Sequence, residues 1–98
     1  MAETSFDAAS GSLNSNKADY IHYKYTGSDD VTGLREMVDS LPNVNKTYIA
    51  TFERSSVMAC IINKVSNADY ASIIYFDYWD THKYMKKAGG TWSNPVDL

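Results

Sequence analysis

The short connections between extended segments in the second half of the chain limit its fold more than any other feature. From residue 46 onward, segments rich in β-branched and aromatic residues are separated by polar loops at 54–56 and 66–69 and by one Gly-Gly pair. Connections this short join strands that lie side by side and run in opposite directions. The sequence therefore predicts an antiparallel sheet that ends in a C-terminal β-meander.

One helix is predicted ahead of the meander, over residues 30–41, and a first strand precedes it at 19–26. Pro42 ends the helix, because the residue before a proline is disfavoured in the α region, and Gly33 is expected to weaken it modestly. Its apolar stripe recurs at helical spacing: Val31, Leu34, Val38 and Leu41. A lone helix must dock on the sheet, so the predicted fold is α+β, with one helix on an antiparallel sheet of five or six short strands.

The chain of 98 residues is long enough for one domain, predicted at 18–98. Residues 1–17 are rich in Ala, Ser, Asn and Gly, and contain few large apolar side chains. Such a segment buries too little to offset the entropy lost on ordering, so a flexible N-terminal arm or linker is expected. The alternative is an arm that packs on a neighbouring subunit.

Two predictions concern which faces of the sheet are covered. Residues 57–65 are apolar on both faces as far as Ile62, which predicts a central strand covered on both sides. In the first strand Ile21, Tyr23 and Tyr25 share one face. The sequence leaves open whether that face meets its own core or another subunit.

Composition argues against several classes of function. A net charge of −3 with interspersed signs gives no basic face for nucleic acid, and no apolar run is long enough to insert in a membrane. Cys60, the one cysteine, is expected to be a small buried hydrophobe. With no phosphate loop and no Cys–His pair in the sequence, we expect a protein that is not an enzyme and has no catalytic residues or cofactor.

Aromatic residues near the C-terminus supply the candidate site. Tyr78 and Trp79 stand at a predicted strand end beside Asp80, which suggests a surface for sugar stacking or partner binding. A subunit interface or a core edge is the alternative. Asp77, Asp80 and His82 are close in sequence, but their spacing gives no defined ligand shell, so no metal site is predicted.

A second group of C-terminal residues is expected to be structural. Gly89 and Gly90 indicate a turn, because glycine enters positive φ without steric cost. Trp92, which follows this turn, is expected to pack across the hairpin and fix its register.

The C-terminal segments resemble the C-terminal knob or tip domain of phage tail fibres and of pyocin-type tail particles. The resemblance rests on residues 73–76, 82–86, 89–93 and 96–98, of which the third segment contains Gly-Thr-Trp, and on the upstream residues 46–50. Asn94 and Pro95 stand where that family commonly has a second tryptophan.

The resemblance implies a homotrimeric tip in the virion tail that binds a bacterial cell-surface receptor, a glycan or a protein. His82 and Tyr84 then join Tyr78, Trp79 and Asp80 as receptor-binding candidates. A second hypothesis is a small stand-alone inhibitor, encoded by a phage and acting in the host cytoplasm on a host or defence protein. It would bind through an acidic, tyrosine-rich surface, since tyrosine supplies contact area at low entropy cost.

Overall fold

The computed structural model describes residues 19–98, which form seven strands and one helix. The predicted arm at 1–17 lies outside the described residues. In chain order the elements are β1 (Asp19–Lys24), α1 (Asp30–Asp39), β2 (Lys46–Glu53), β3 (Val57–Lys64), β4 (Ala71–Asp77), β5 (His82–Ala88), β6 (Thr91–Trp92) and β7 (Val96–Asp97).

All seven strands belong to one sheet, in the order β1-β2-β3-β4-β5-β6, with β7 also paired to β5. Every pairing from β2 onward is antiparallel, which confirms an α+β fold with a mostly antiparallel sheet and a C-terminal meander. The strand count exceeds the predicted five or six because the short segment Val96–Asp97 also pairs with β5. β1 departs from the antiparallel pattern. It runs parallel to β2, because α1 carries the chain back to the end of the sheet where β1 began.

The core lies between α1 and one face of the sheet. Its fully buried members come from the helix and from alternate positions of four strands: Leu34, Met37, Val38, Phe52, Cys60, Ile62, Ile73 and Met85. Ile21, Tyr23 and Tyr25 of the first strand pack against this cluster, so that face of β1 meets its own core.

The helix owes its start and its close packing to two residues. Asp29 is the N-cap, and its Oδ2 accepts the backbone N–H of Thr32 at 3.1 Å. Gly33 is buried, and a Cβ there would lie 2.5 Å from the Tyr25 ring and 2.7 Å from Cζ of Phe52. The missing side chain therefore lets two aromatic residues pack on the helix. α1, the one helix within residues 19–98, is neither long nor apolar enough to cross a membrane.

The prediction that β3 is covered on both sides is wrong. Cys60 and Ile62 are buried against the helix, but Val57 is 53% exposed and Ile61 is 38% exposed on the opposite face. The physical reason is that α1 covers one face only, and nothing else in residues 19–98 covers the other. We call this second side of the sheet the open face.

Candidate functional site

Residues 78–81 form the tip loop, which joins β4 to β5 and is organised by the side chain of Asp77. The Oδ1 atom of Asp77 accepts the backbone N–H groups of Trp79, Asp80 and Thr81 at 2.9, 3.1 and 3.0 Å. These hydrogen bonds, led by the one from Thr81, hold the pKa of Asp77 below its ordinary value. One carboxylate thus fixes the backbone of the whole tip loop.

The tip loop carries two large aromatic side chains in solvent. Tyr78 is 88% exposed and Trp79 is 67% exposed, and their rings meet edge to face with centroids 5.0 Å apart. Neither ring contributes to the core, so their exposure rules out the core-edge alternative. Because the loop backbone is already ordered, the tip loop loses little additional conformational entropy when a partner binds these rings.

A pocket of about 410 Å³ lies beside the tip loop, between the start of α1 and the helix side of the sheet. Val31, Met58 and Pro95 give it an apolar wall. Its polar side chains come from the helix, two strands and the tip loop: Asp30, Tyr75, Asp77, Thr81 and Lys83. A concave apolar surface with a few polar groups is typical of a small-ligand site.

The charged groups of this pocket have internal partners. Asp30 accepts a hydrogen bond from Nε of Arg54, and Lys83 donates one to Asp97, which lowers the pKa of that carboxyl. The third charge, on Asp77, is stabilised by the backbone N–H groups of the tip loop and remains negative. The pocket therefore offers hydrogen-bonding groups with a carboxylate charge remaining at Asp77, which suits a neutral polar ligand better than an anion.

The structure separates the five predicted receptor-binding residues into two groups. Tyr78, Trp79 and Asp80 lie together in the tip loop. His82 and Tyr84 lie on β5 and point to the open face, away from the pocket, because residues of a strand alternate between its two sides.

The residues predicted to be structural lie at the other end of β5. Gly89 and Gly90 adopt φ angles of 59° and 84°, the positive values that the β5–β6 turn requires. Trp92 is partly buried against the core, and its Nε1 lies 3.4 Å from Oδ2 of Asp39. This side chain therefore joins the last hairpin to the end of the helix.

The structure also bears on the reactivity of Cys60 and on the possibility of a metal site. Burial raises the pKa of the Cys60 thiol to about 12, so the thiol is protonated and unreactive at neutral pH. Residues 19–98 contain no cluster of three acidic, histidine or cysteine side chains that could hold a metal ion, and Asp77, Asp80 and His82 form none.

The pocket was not predicted from the sequence. Val31, Met58, Lys83 and Pro95 come from distant parts of the chain, and no spacing in the sequence indicates that they meet. The sequence offers Asp77 only as a possible metal ligand, whereas the structure shows that its carboxylate accepts hydrogen bonds from the backbone of the tip loop.

Comparisons with known proteins give no relative. No family model matches the chain, and no curated protein or solved structure matches it either. The resemblance to tail-fibre tips stays a prediction, based on the C-terminal segments that suggested it.

Proposed function

We propose that this protein is a binding protein that attaches to its partner through the tip loop and the pocket beside it. One observation carries the proposal: a hydrogen-bonded loop holds Tyr78 and Trp79 in solvent next to a concave site of about 410 Å³. Large exposed aromatic side chains on an ordered backbone are the residues that dominate binding energies. The combination supports recognition of a partner rather than chemistry on one.

A saccharide fits this site best. Sugars present apolar C–H faces that stack on aromatic rings, and hydroxyl groups that pair with carboxylates and amines. Tyr78 and Trp79 supply the rings, and the polar groups of the pocket supply the hydrogen bonds. We therefore propose a receptor-binding tip of a phage or phage-like tail fibre, which adsorbs to a bacterial surface glycan. Several copies on one particle would turn a weak single site into firm attachment.

The protruding shape of the tip loop favours a second candidate, the inhibitor of a host or defence protein. Tyr78 and Trp79 extend from the end of the sheet, as do the anchor residues that enter a pocket of a protein partner. In this candidate the target is one soluble protein, and a glycan plays no part.

Binding measurements on three single variants test the proposal. Tyr78→Ala and Trp79→Ala remove the exposed rings, and Tyr70→Ala is the matched control, because Tyr70 is 46% exposed at the opposite end of β4. We expect each tip-loop variant to lower affinity for bacterial cells at least ~10-fold, while the control binds like the unmodified protein. Unchanged cell binding by both tip-loop variants would refute the assigned site.

Treatment of the cells distinguishes the two candidates. Periodate oxidises vicinal hydroxyl groups of sugars and leaves most protein receptors able to bind. Loss of binding after periodate, with binding to the purified polysaccharide, supports the tail-fibre tip. Absence of cell binding, together with a purified soluble protein that binds the Tyr70→Ala control and not Trp79→Ala, supports the inhibitor.

A further inference from the structure

A continuous row of apolar side chains crosses the open face of the sheet. Strand register places one residue of the row on each of six neighbouring strands. In spatial order they are Tyr20, Ile49, Ile61, Ile74, Tyr84 and Val96. Paired residues in a sheet share a face, so the row is unbroken from one edge of the sheet to the other.

Four of the six residues of this row are exposed although they are apolar, and Ile74 and Tyr84 are half-buried. Tyr20 is 64% exposed, Ile49 and Ile61 are each close to 40% exposed, and Phe76 adds a further ring 40% exposed in the next row. The solvent face of an antiparallel sheet is normally polar, and a contiguous apolar patch on a protein surface marks an interaction site. The open face therefore has the composition of an interaction surface.

Polar residues line one side of the apolar row, and on its other side His22, Thr51 and His82 stand beside Ala59 and Phe76. On one side Asn63 lies between Thr47 and Ser72, with hydrogen bonds of 2.9 and 3.3 Å to their hydroxyl groups. Charged side chains stand only toward the margins of the face, as at Lys24 on β1 and Lys86 on β5. An apolar centre with a polar rim is the anatomy of a protein–protein interface.

We infer that the open face is the contact between two copies of this chain, packed face to face. The strands are about 4.8 Å apart and the rows of side chains about 6.7 Å apart; because β1 and β4 supply three outward-facing residues each and β7 supplies one, the face covers roughly 600 Å² in plan. Stable interfaces bury about 600–1,000 Å² on each partner, so the face reaches the lower end of what a dimer needs. Each copy hides the apolar row of the other.

The sizes of the side chains favour a pair over a ring of three. Two sheets pack about 10 Å apart, which leaves each side about 5 Å and suits the short residues of the central strand β3, Ala59 and Ile61. Three such sheets around an axis would leave their central strands about 7–8 Å from it, a gap that needs large central residues. Of the large residues on this face, Tyr20 and Tyr84 lie away from the centre, and Phe76 lies on the central strand β4.

The dimer goes beyond the proposed binding function and stands in place of the homotrimer that the tail-fibre resemblance implies, and it leaves the proposed binding site accessible. The tip loop stands at the end of β4, and its pocket is on the helix side of the sheet. A face-to-face pair therefore carries two tip loops, neither of them in the contact.

Mass in solution, measured by light scattering over a range of concentrations, tests the inference on the full chain. The unmodified protein should have twice the 11.0 kDa chain mass. Ile61→Lys and Ile49→Lys place a charge in the contact and should raise the dissociation constant at least ~100-fold, which gives monomers. Val44→Lys is the matched control, because Val44 is 44% exposed in a loop away from the open face, and this variant should stay dimeric.

Circular dichroism decides whether each variant is folded, and Ile49→Lys replaces Ile61→Lys if the latter unfolds. If the unmodified protein is still a monomer at about 100 μM, the inference is overturned, because a specific dimer contact should be populated at that concentration. Two folded lysine variants that remain dimers would also overturn it. A mass of three chains would overturn the face-to-face pair in favour of the homotrimer that the tail-fibre resemblance implies.

Discussion

The covered face and the open face of this sheet are built from the same strands, yet the helix lies on only one of them. On β3 the side chains alternate between the two, with Cys60 and Ile62 under α1 and Ala59 and Ile61 in solvent. Both sets are apolar. The comparison teaches that an apolar face shows where burial is favourable, whereas the number of elements available to cover it decides what is buried within one chain.

The largest expected effect is on the free energy of unfolding, and it should distinguish two neighbouring isoleucines that lie on opposite faces of the sheet. Ile62 is 0% exposed and Ile61 is 38% exposed, so the same change to alanine tests the two faces with one side chain. Ile62→Ala should lower the free energy of unfolding by about 2–5 kcal/mol, because it leaves a cavity in the core. Ile61→Ala should lower it by less than about 1 kcal/mol at protein concentrations that favour the monomer.

Urea denaturation monitored by circular dichroism measures both changes, and protein concentration sharpens the comparison. If the open face is a dimer contact, the effect of Ile61→Ala should grow as the concentration rises, since association stabilises the folded state by mass action. The effect of Ile62→Ala should change less. Equal losses for the two variants in dilute solution would contradict the difference between the faces.

A smaller effect is expected where the covered face meets the helix. Gly33→Ala improves helix propensity by up to about 1 kcal/mol, but its Cβ would lie 2.5 Å from the Tyr25 ring. Overpacking of this kind costs about 1–3 kcal/mol, so the variant should be less stable than the unmodified protein in thermal and urea unfolding.

Glu36→Ala serves as the control, because Glu36 lies on the exposed side of the same helix. Its stability should stay within about 0.5 kcal/mol of the unmodified protein. A Gly33→Ala variant more stable than this control would mean that helix propensity outweighs the contact with Tyr25 and Phe52.

Local patterns predicted much of this fold, and the faces of the sheet show where such patterns fail. The limits of β2 are those expected from alternation, and α1 begins at the predicted residue, Asp30. These features depend on neighbours along the chain. Coverage of β3 depends on how many helices the fold contains, and the parallel pairing of β1 depends on the path of α1, so strand composition alone did not reveal either.

The candidate site likewise has one part that local sequence patterns predict and one part that they do not. The tip loop was found from two adjacent aromatic residues, Tyr78 and Trp79, because one loop contains both. The pocket needs Val31 of the helix and Pro95 near the C-terminus to meet, and only the tertiary fold brings them together. Gly33 was expected only to weaken the helix, since the aromatic rings that it accommodates come from β2 and from the segment after β1.

The smallest expected effect concerns Lys64, the one charged residue classed as buried within 19–98. It lies on the covered face, and its Nζ donates to the carbonyl of Val38 near the C-terminus of α1 at 3.1 Å, where the helix dipole favours a cation. Burial lowers the pKa of Lys64, with Asp39 opposing that change and Lys87 adding to it. Lys64→Met should therefore be neutral or stabilising, by up to about 1 kcal/mol at pH 7.

The pH dependence gives the sharper test, because its sign is fixed. The folded protein releases the proton of Lys64 below the ordinary pKa of 10.5, so in that window the unfolded chain binds more protons. The contribution of Lys64 to stability then rises with pH, and Lys64→Met should lack this rise in urea titrations between pH 8 and about 10.5. Lys24→Met, on the exposed face of β1, is the control and should keep it. The same rise in Lys64→Met would mean that the covered face holds this charge without penalty, and that the two faces differ in apolar burial alone.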